Sequence, residues 1–338
     1  MKKAFFFTAA HSGGHIIPAL TLARRLCMTG SAAHFQTIGL FSTDAPSDVR
    51  LIESFSGAKS HIRLPWITCR SPKLVVGLLY GVYHSLLVLY RERPACVVST
   101  GGLIAVPVCC AAWLLRIPFE LYELNVRPGR AVALLSRFAR TVFICFPETV
   151  LYVKGNVVLT EYPIRYTEYD RISRQDARLR LEIADDRSTL LIIGGSQGSR
   201  FINNLVKKFV EQLSNGQRKR LHMVHQAGVC DVVEMQGFYA SYGMAARVFA
   251  YDDNIAWAYQ AADYVVTRAG AGVLHELLFF KQRALIIPLE AKSTSHQIDN
   301  ARAFVQKEPG LMSMLLQADL MKDPQQFYAV LMLNLPIM

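Results

Sequence analysis

Short apolar runs alternate with helical patterns through the first half of the chain. The strand-like runs cover residues 3–9, 34–40, 95–100 ("ACVVST") and 119–124 ("FELYEL"), and the helical patterns cover residues 16–28 and the segment from Leu74 onward. Alternation of strand and helix is typical of a parallel sheet covered by helices. The first half is therefore predicted to be an α/β domain.

The order of strand, glycine turn and helix returns in the second half. It occurs in "STLLIIGGSQGSRFINNLVKKFV" from Ser188 and in "YVVTRAGAGVLHELLFF" from Tyr264. Each turn follows the carboxyl end of a predicted strand, where open α/β sheets bind ligands. We predict two Rossmann-like domains with parallel sheets facing a central cleft. The predicted domains are residues 1–163 and 164–338, joined at "EYPIR".

Composition limits the class of protein. The chain has 338 residues, of which 52% are hydrophobic and 19% charged, enough for two well-filled cores. Its net charge of +11 indicates an anionic partner, which could be nucleic acid, a membrane surface or a phosphorylated substrate. The seven cysteines include no CxxC pair, so we interpret them as reduced, buried thiols of a cytosolic protein. The short apolar N-terminal run leads into a turn without a cleavage site, which argues against a signal peptide.

Residues 74–90, "LVVGLLYGVYHSLLVLY", are apolar around nearly the whole helical circumference. A transmembrane helix needs roughly 20 such residues, and this segment is shorter. Two interpretations remain open. The segment is either a buried core helix, or a helix that lies on an anionic membrane surface with basic residues at its ends.

The opening turn lies within "HSGGHIIPAL". Its amides could hold a phosphate, His15 could act as a general base, or the turn could be a packing bend. Its glycines are adjacent and do not follow the G-x-G-x-x-G spacing. A dinucleotide-binding dehydrogenase is therefore disfavoured.

Three later segments carry candidate ligand-binding groups. In "GGSQGSR", Ser196 and nearby amides precede a helix and suit an anionic oxygen, although a plain connection looks the same. In "TRAGAGVLHE", Glu276 could accept hydrogen bonds from a ribose diol or be a solvated surface residue, while His275 is interpreted as structural. In "SHQIDNARAF", His296 and Gln297 suit sugar hydroxyls, with helix capping as the alternative.

Taken in order, "HSGGHIIPAL", "STGGLIAVP", "ELN", "EYPIR", "GGSQGSR", "HQAG", "YDD", "TRAGAGVLHE" and "SHQIDNARAF" resemble the MurG family of peripheral membrane glycosyltransferases. The resemblance implies the GT-B architecture. It also implies inverting transfer of N-acetylglucosamine (GlcNAc) from UDP-GlcNAc to the C4 hydroxyl of undecaprenyl-pyrophosphoryl-MurNAc-pentapeptide, the step from lipid I to lipid II in peptidoglycan synthesis. It implies no metal and no other cofactor.

The resemblance also assigns roles to residues. The acceptor diphosphate would be held by Ser12, Gly13, Gly14 and His15, and catalysis would depend on His15, as the general base, and on Glu276. Donor binding is assigned to Asn125, Arg165, Ser196, Tyr251, Glu276, His296 and Gln297. Membrane contact is assigned to Leu78, Leu79, Val82, Leu86 and Trp113, with Arg116, Arg137 and Arg140 as a basic rim.

The implied partners are UDP-GlcNAc, the undecaprenyl-linked muramyl-pentapeptide and the anionic inner-membrane surface, with no nucleic acid. The implied location is the cytoplasmic face of the bacterial inner membrane, as a peripheral protein. Ala10 and His11 stand where the family commonly has glycines, and the chain ends at Met338, before the family's usual last helices. Two other functions stay open: another UDP-sugar enzyme of this fold, such as a glycolipid synthase or epimerase, and a non-catalytic UDP-binding membrane scaffold.

Overall fold

The structure, a computed structural model, divides into two compact units, Met1–Arg165 and Tyr166–Met338. It describes residues 5–8, 13–29, 38–43, 46–53, 55, 59–64, 74–195, 198–252, 255–290 and 296–337. The predicted domain boundary, after residue 163, lies two residues before this division.

The first unit contains a seven-stranded parallel sheet covered by helices. Its strands are β1 (Phe5–Thr8), β2 (Ile38–Ser42), β3 (Lys59–Arg63), β4 (Cys96–Ser99), β5 (Phe119–Glu123), β6 (Thr141–Ile144) and β7 (Val157–Leu159). Its helices are α1 (Gly13–Thr29), α2 (Pro46–Glu53), α3 (Leu74–Glu92), α4 (Ala105–Leu114) and α5 (Arg130–Leu135), with 3-10 turns at Ser136–Phe138 and Pro147–Tyr152. In the strand order β3-β2-β1-β4-β5-β6-β7, β2 and β3 lie on one side of β1 and the later strands lie on the other. The topological switch point of the sheet is therefore between β1 and β4.

The second unit repeats this plan with six parallel strands in the order β10-β9-β8-β11-β12-β13. The strands are β8 (Ser188–Ile193), β9 (Leu221–Gln226), β10 (Ala245–Phe249), β11 (Tyr264–Thr267), β12 (Ala284–Ile286) and β13 (Met312–Met314). The helices are α6 (Arg174–Arg180), α7 (Arg200–Gln212), α8 (Asn215–Lys219), α9 (Val232–Ser241), α10 (Ala256–Ala261), α11 (Ala271–Phe279), α12 (His296–Lys307), α13 (Gln317–Lys322) and α14 (Gln325–Asn334). The α/β prediction is confirmed in both halves.

The central strands are buried on both faces. Every residue of β8 and of β9 is buried, because helices cover both sides of the sheet. This burial explains the apolar run that ends β8, whereas β9 also buries the polar side chains of His222, His225 and Gln226. It also leaves the loops at the carboxyl edge as the part of each sheet where polar side chains gather.

The long apolar helix α3 packs closely against α4 through one narrow face. The buried residues of that face are Gly77, Gly81, Ser85 and Leu89, which recur every four positions. α3 is long and apolar enough to cross a membrane by length and composition, yet only 22% of its most apolar window is buried. The interpretation of α3 as a buried core helix is therefore wrong for most of its surface.

The outer face of α3 is defined by its exposed apolar side chains, Val75, Val76, Leu79, Tyr80, Tyr83, Leu87 and Tyr90. Of the residues predicted to contact a membrane, Leu79 is 66% exposed and Trp113 is 55% exposed. Leu78, Val82 and Leu86 are half-buried, and Leu78 and Leu86 pack against the core of the first unit. Of the four α3 residues predicted to contact a membrane, only Leu79 is therefore exposed, and the other exposed side chains lie at neighbouring positions of the helix.

The prediction that all cysteines are buried was wrong. Cys96 and Cys109 are buried, but Cys27 and Cys230 are exposed free thiols. Cys27 lies near the end of α1 and Cys230 in the connection that precedes α9, where side chains face solvent. Cys69 lies outside the described residues.

Candidate active site

His15 lies in the first turn of α1, and its ring is held by the loop after β4. Its Nδ1 atom is 2.7 Å from the carbonyl oxygen of Thr100, and Thr100 Oγ1 donates to the carbonyl of His15 at 2.8 Å. A carbonyl oxygen only accepts hydrogen bonds, so Nδ1 carries the proton and the neutral ring has its lone pair on Nε2. The ring is thus fixed in the tautomer that a general base requires.

The neighbouring glycines suit this arrangement. Gly101 has φ +95°, and a Cβ atom there would lie 3.4 Å from Cε1 of His15 and 3.3 Å from Val132. A side chain at this position would be strained by the left-handed φ, and its Cβ atom would be tightly packed against Val132. Gly13 and Gly14 begin α1, whereas Ser12, with Ala10 and His11, lies outside the described residues.

Asn125 is held by the buried carboxylate of Glu123, at the carboxyl end of β5. Oε1 of Glu123 accepts from the backbone N–H groups of Leu124 and Asn125, both at 3.0 Å, and from Nδ2 of Asn125 at 3.1 Å. Oε2 accepts from the N–H of Gly129 at 3.1 Å. Glu123 therefore fixes both the backbone and the side-chain amide of Asn125.

A second buried side chain holds the same loop from the other side. Thr149 Oγ1 lies 3.0 Å from the carbonyl oxygen of Asn125 and 2.9 Å from that of Val126. Neither Glu123 nor Thr149 was assigned a role from the sequence. An acidic residue that ends a predicted buried strand was the available signal for Glu123.

Glu123 should make the stability of the protein depend on pH. Burial raises the pKa of Glu123 from 4.5 to about 7, and its hydrogen bonds oppose this rise only in part. Between pH 4.5 and 7 the folded protein therefore binds more protons at this carboxyl than the unfolded chain, so the free energy of unfolding falls as pH rises. Relative to Glu123→Gln, which does not titrate, the wild type should lose about 2–3 kcal/mol between pH 5 and pH 8. Urea unfolding of both proteins at the two pH values measures this, and a constant difference would contradict it.

In the second unit, Gly195 and Gly198 of the glycine loop after β8 contact the end of β9. The carbonyl of Gly195 accepts from Nε2 of Gln226 at 2.6 Å. Gly198 has φ +77°, and a Cβ atom there would lie 2.2 Å from the carbonyl oxygen of Ala227. Ser199 caps α7 by accepting from the N–H of Ile202 at 3.4 Å. The loop therefore ends at a helix N-terminus, where an anion is favoured. Ser196 itself lies outside the described residues.

Arg268, directly after β11, is hydrogen-bonded to the segments that follow β8 and β12. Its Nη2 and Nε atoms donate to Ser199 Oγ at 2.8 and 3.2 Å. Its Nη1 donates to the carbonyls of Ile287 at 3.1 Å and Pro288 at 3.4 Å. The segments after β8, β11 and β12 are therefore joined at one carboxyl edge, and sequence reasoning missed this residue.

The charge of Arg268 is buried beside the N-terminus of α7. Burial lowers its pKa to about 10, so the guanidinium stays charged at neutral pH. The negative charge of Glu290 opposes part of this lowering of the pKa. The buried cation and the helix N-terminus create a positive potential that suits a phosphate group.

Glu276 lies on α11 and is only 8% exposed, so the alternative of a solvated surface glutamate is wrong. Tyr259 Oη donates to its Oε2 atom at 2.8 Å. The neighbouring His275 is half-buried. Desolvation lowers its pKa to about 4, and its Nδ1 lies 2.8 Å from the carbonyl oxygen of Ala271. These contacts agree with the structural role expected for His275.

Gln297 and Asn300 attach the start of α12 to the same edge of the sheet. Gln297 Oε1 accepts from the N–H of Leu289 at 3.0 Å, and Asn300 Nδ2 donates to the carbonyl of Ala269 at 3.3 Å. His296 is half-buried at the first position of α12. The "TRAG" and "SHQIDN" segments are thus adjacent, as expected for one ligand site.

Two other predicted donor residues lie at element ends. Tyr251 follows β10, and Arg165 is the last residue of the first unit. Both are half-buried. Within the described part of the chain, no group of three or more His, Cys, Asp or Glu side chains is arranged to hold a metal ion.

The chain matches two family models and many relatives. Residues 5–144 match the glycosyltransferase family 28 N-terminal domain, and residues 189–326 match the C-terminal domain of the same family. A protein of Protochlamydia amoebophila (strain UWE25) is 34% identical over 90% of this chain and 81% of its own length. It is named UDP-N-acetylglucosamine--N-acetylmuramyl-(pentapeptide) pyrophosphoryl-undecaprenol N-acetylglucosamine transferase. A protein of Clostridium kluyveri with the same name is 33% identical over 95% of this chain and 88% of its own.

The crystal structure of Acinetobacter baumannii MurG superimposes with a TM-score of 0.72. It is 26% identical, and the match covers 99% of this chain and 91% of the other. This chain belongs to the MurG family of glycosyltransferases. The predicted GT-B architecture, with two Rossmann-like domains, is confirmed. The described residues of the MurG motifs lie at the carboxyl edge of the sheet in their own unit or on the helices and segments that follow it.

Proposed function

We propose that this chain transfers GlcNAc from UDP-GlcNAc to the C4 hydroxyl of undecaprenyl-pyrophosphoryl-MurNAc-pentapeptide in peptidoglycan synthesis. Relatives named for this reaction match nine-tenths of the chain at about one-third identity. The observation that carries the chemistry is the ring of His15, whose Nδ1 donates to the carbonyl of Thr100 and so makes Nε2 the atom that would accept a hydroxyl proton.

We assign the parts of an inverting transfer to residues of the two units as follows. His15 Nε2 accepts the proton of the acceptor hydroxyl while that oxygen forms a bond to the anomeric carbon. The bond from the anomeric carbon to the β-phosphate oxygen breaks, and UDP leaves with the electron pair. The positive potential of Arg268 and the α7 N-terminus stabilises the charge that develops on the phosphates. We include no metal ion in this mechanism, because these groups supply the positive charge.

Transfer of radiolabelled GlcNAc to a lipid-linked muramyl-pentapeptide tests the proposal. Product should form, and addition of EDTA should leave the rate unchanged. UDP binding without any transfer would favour the non-catalytic scaffold, and conversion of UDP-GlcNAc to its epimer would favour the epimerase. If UDP is not bound at all, the assignment of the donor site is wrong.

We also propose that the protein binds the cytoplasmic face of the inner membrane through the outer face of α3. Seven large apolar side chains are exposed on one side of this helix, more than a solvated helix normally presents. Trp113, at the end of α4, is also exposed and lies 5.5 Å from the ring of Phe138. The exposed Arg116 and Arg137 follow in the same region of the chain and would attract anionic headgroups.

Leu79→Glu should weaken membrane binding. The substitution removes an apolar side chain that would contact lipid and places a negative charge there. Binding to phosphatidylglycerol vesicles should therefore fall at least about tenfold. Leu333→Glu is the matched control, because Leu333 is 84% exposed on α14 of the second unit. Vesicle co-sedimentation measures both. Equal losses in the two variants, or no loss in Leu79→Glu, would overturn the proposed surface.

A further inference from the structure

Tyr259 is a buried tyrosine whose hydroxyl meets the carboxylate of Glu276. It lies on α10, 1% exposed, and donates to Oε2 of Glu276 on α11 at 2.8 Å. A carboxylate removed from water needs hydrogen-bond donors. The contact therefore fixes one oxygen of Glu276 in a defined place.

The tyrosine ring is itself held rigidly. It stacks on Phe280 with ring centroids 5.5 Å apart and an interplanar angle of 23°. Phe280 directly follows α11 and meets Tyr166 edge-on at 5.1 Å. The hydroxyl of Tyr259 thus has little freedom to follow a carboxylate that rotates.

A rigid donor on Oε2 determines the plane of the whole carboxylate. With Oε2 turned toward Tyr259, Oε1 lies on the other side of the group. Two adjacent hydroxyls of a ribose donate to one carboxylate only when its plane is correctly oriented. Tyr259 is too deeply buried to touch a nucleotide, so any effect it has on binding passes through Glu276.

We infer that Tyr259 is a positioning residue that orients Glu276 toward the ribose diol of the donor nucleotide. This inference rests on the proposed function, which places the ribose at Glu276. Tyr259 would then contribute to nucleotide specificity, because a misoriented carboxylate forms weaker hydrogen bonds with the ribose hydroxyls. The position was not singled out in the sequence.

Tyr259→Phe tests the inference, since it removes one oxygen and keeps the stacked ring. We expect KM for UDP-GlcNAc to rise about tenfold, as for loss of a hydrogen bond to a charged group, with kcat nearly unchanged. Calorimetry should show that wild type binds UDP more tightly than 2′-deoxy-UDP. In Tyr259→Phe this preference should shrink, because UDP loses affinity and 2′-deoxy-UDP loses little.

The matched control is Tyr264→Phe. Tyr264 is also buried in the second unit, and its hydroxyl lies 3.2 Å from Ser313 Oγ, away from Glu276. This variant should keep the wild-type preference between the two nucleotides. In a Glu276→Gln background, Tyr259→Phe should have no further effect on KM.

The outcomes separate the inference from the proposed function. If Tyr259→Phe weakens both nucleotides equally, or weakens neither, the positioning role is wrong while UDP binding by the wild type still supports the donor site. If the wild type binds UDP but does not prefer it to 2′-deoxy-UDP, Glu276 does not read the ribose and the inference fails. If the wild type binds neither nucleotide, the proposed function fails with it.

Discussion

Replacing His15 with asparagine is expected to lower kcat by about 10²–10⁴-fold while leaving UDP binding unchanged. The asparagine amide can donate to the carbonyl of Thr100 as Nδ1 of His15 does, but it has no atom at the position of Nε2. The fall in kcat would therefore reflect the loss of proton transfer, because the contact between position 15 of α1 and Thr100 is kept. Transfer rates at saturating substrates, together with calorimetric UDP binding, measure the two effects separately.

His61→Asn is the control for this experiment. His61 is a half-buried histidine of the same unit, 2.7 Å from Ser42 Oγ, and it has no proposed role in the reaction. Its replacement should leave kcat near the wild-type value. A His15→Asn enzyme that keeps more than about a tenth of wild-type kcat would show that His15 is not the base.

Gly198→Ala is expected to abolish measurable UDP binding and to destabilise the second unit by about 3 kcal/mol or more. The backbone of an alanine at this position would have to keep the left-handed conformation, at φ +77°. Its methyl group would lie 2.2 Å from the carbonyl oxygen of Ala227. The methyl group would meet backbone atoms of Ala227 and Gly228. Because these atoms cannot rotate away as a side chain can, the clash is removed only if the glycine loop moves away from the end of β9. That movement displaces the amides proposed to bind the phosphates.

Gly243→Ala separates strain from packing. Gly243 also has a left-handed conformation, at φ +61°, but nothing lies within 4 Å of a Cβ atom there. This substitution should cost only the conformational strain, about 1–2 kcal/mol, and leave UDP affinity unchanged. Similar stability losses in the two variants, with UDP binding retained in Gly198→Ala, would show that the close contact with β9 is not required.

The fold could be predicted because buried parallel strands have a distinctive sequence pattern. The run "STLLII" is buried at every position, and a glycine turn and a helix follow it in the sequence. Burial on both faces requires continuous apolar residues, and the return to a helix requires the turn. The positions of His15 and Gly198 follow directly from that regularity.

The hydrogen-bond partners could not be predicted in this way. Tyr259 and Glu276 lie 17 residues apart on different helices, and their contact depends on how α10 and α11 pack. Arg268 contacts Ser199 across 69 residues. Periodicity indicates which face of an element is buried, but it does not specify which buried polar group that face meets.

The orientation of α3 was hidden for a different reason. Its residues are apolar almost all round, so the pattern contains no polar face to mark the side exposed to solvent. The contact with α4 decides the orientation, through Gly77 and Gly81. This is why Leu79 is exposed while Leu78 and Leu86 pack inward.

The contact between α3 and α4 restricts which residues can stand on one side of α3 but not on the other. The side that meets α4 consists of glycine, serine and one leucine, so a larger residue there would push the two helices apart. The outer face carries its side chains into open space and can exchange one large apolar residue for another without repacking the interior. The membrane-binding surface that we propose can therefore vary at positions such as Val76, Tyr83 and Tyr90 between species that differ in membrane lipids, while Gly77, Gly81 and Ser85 stay unchanged.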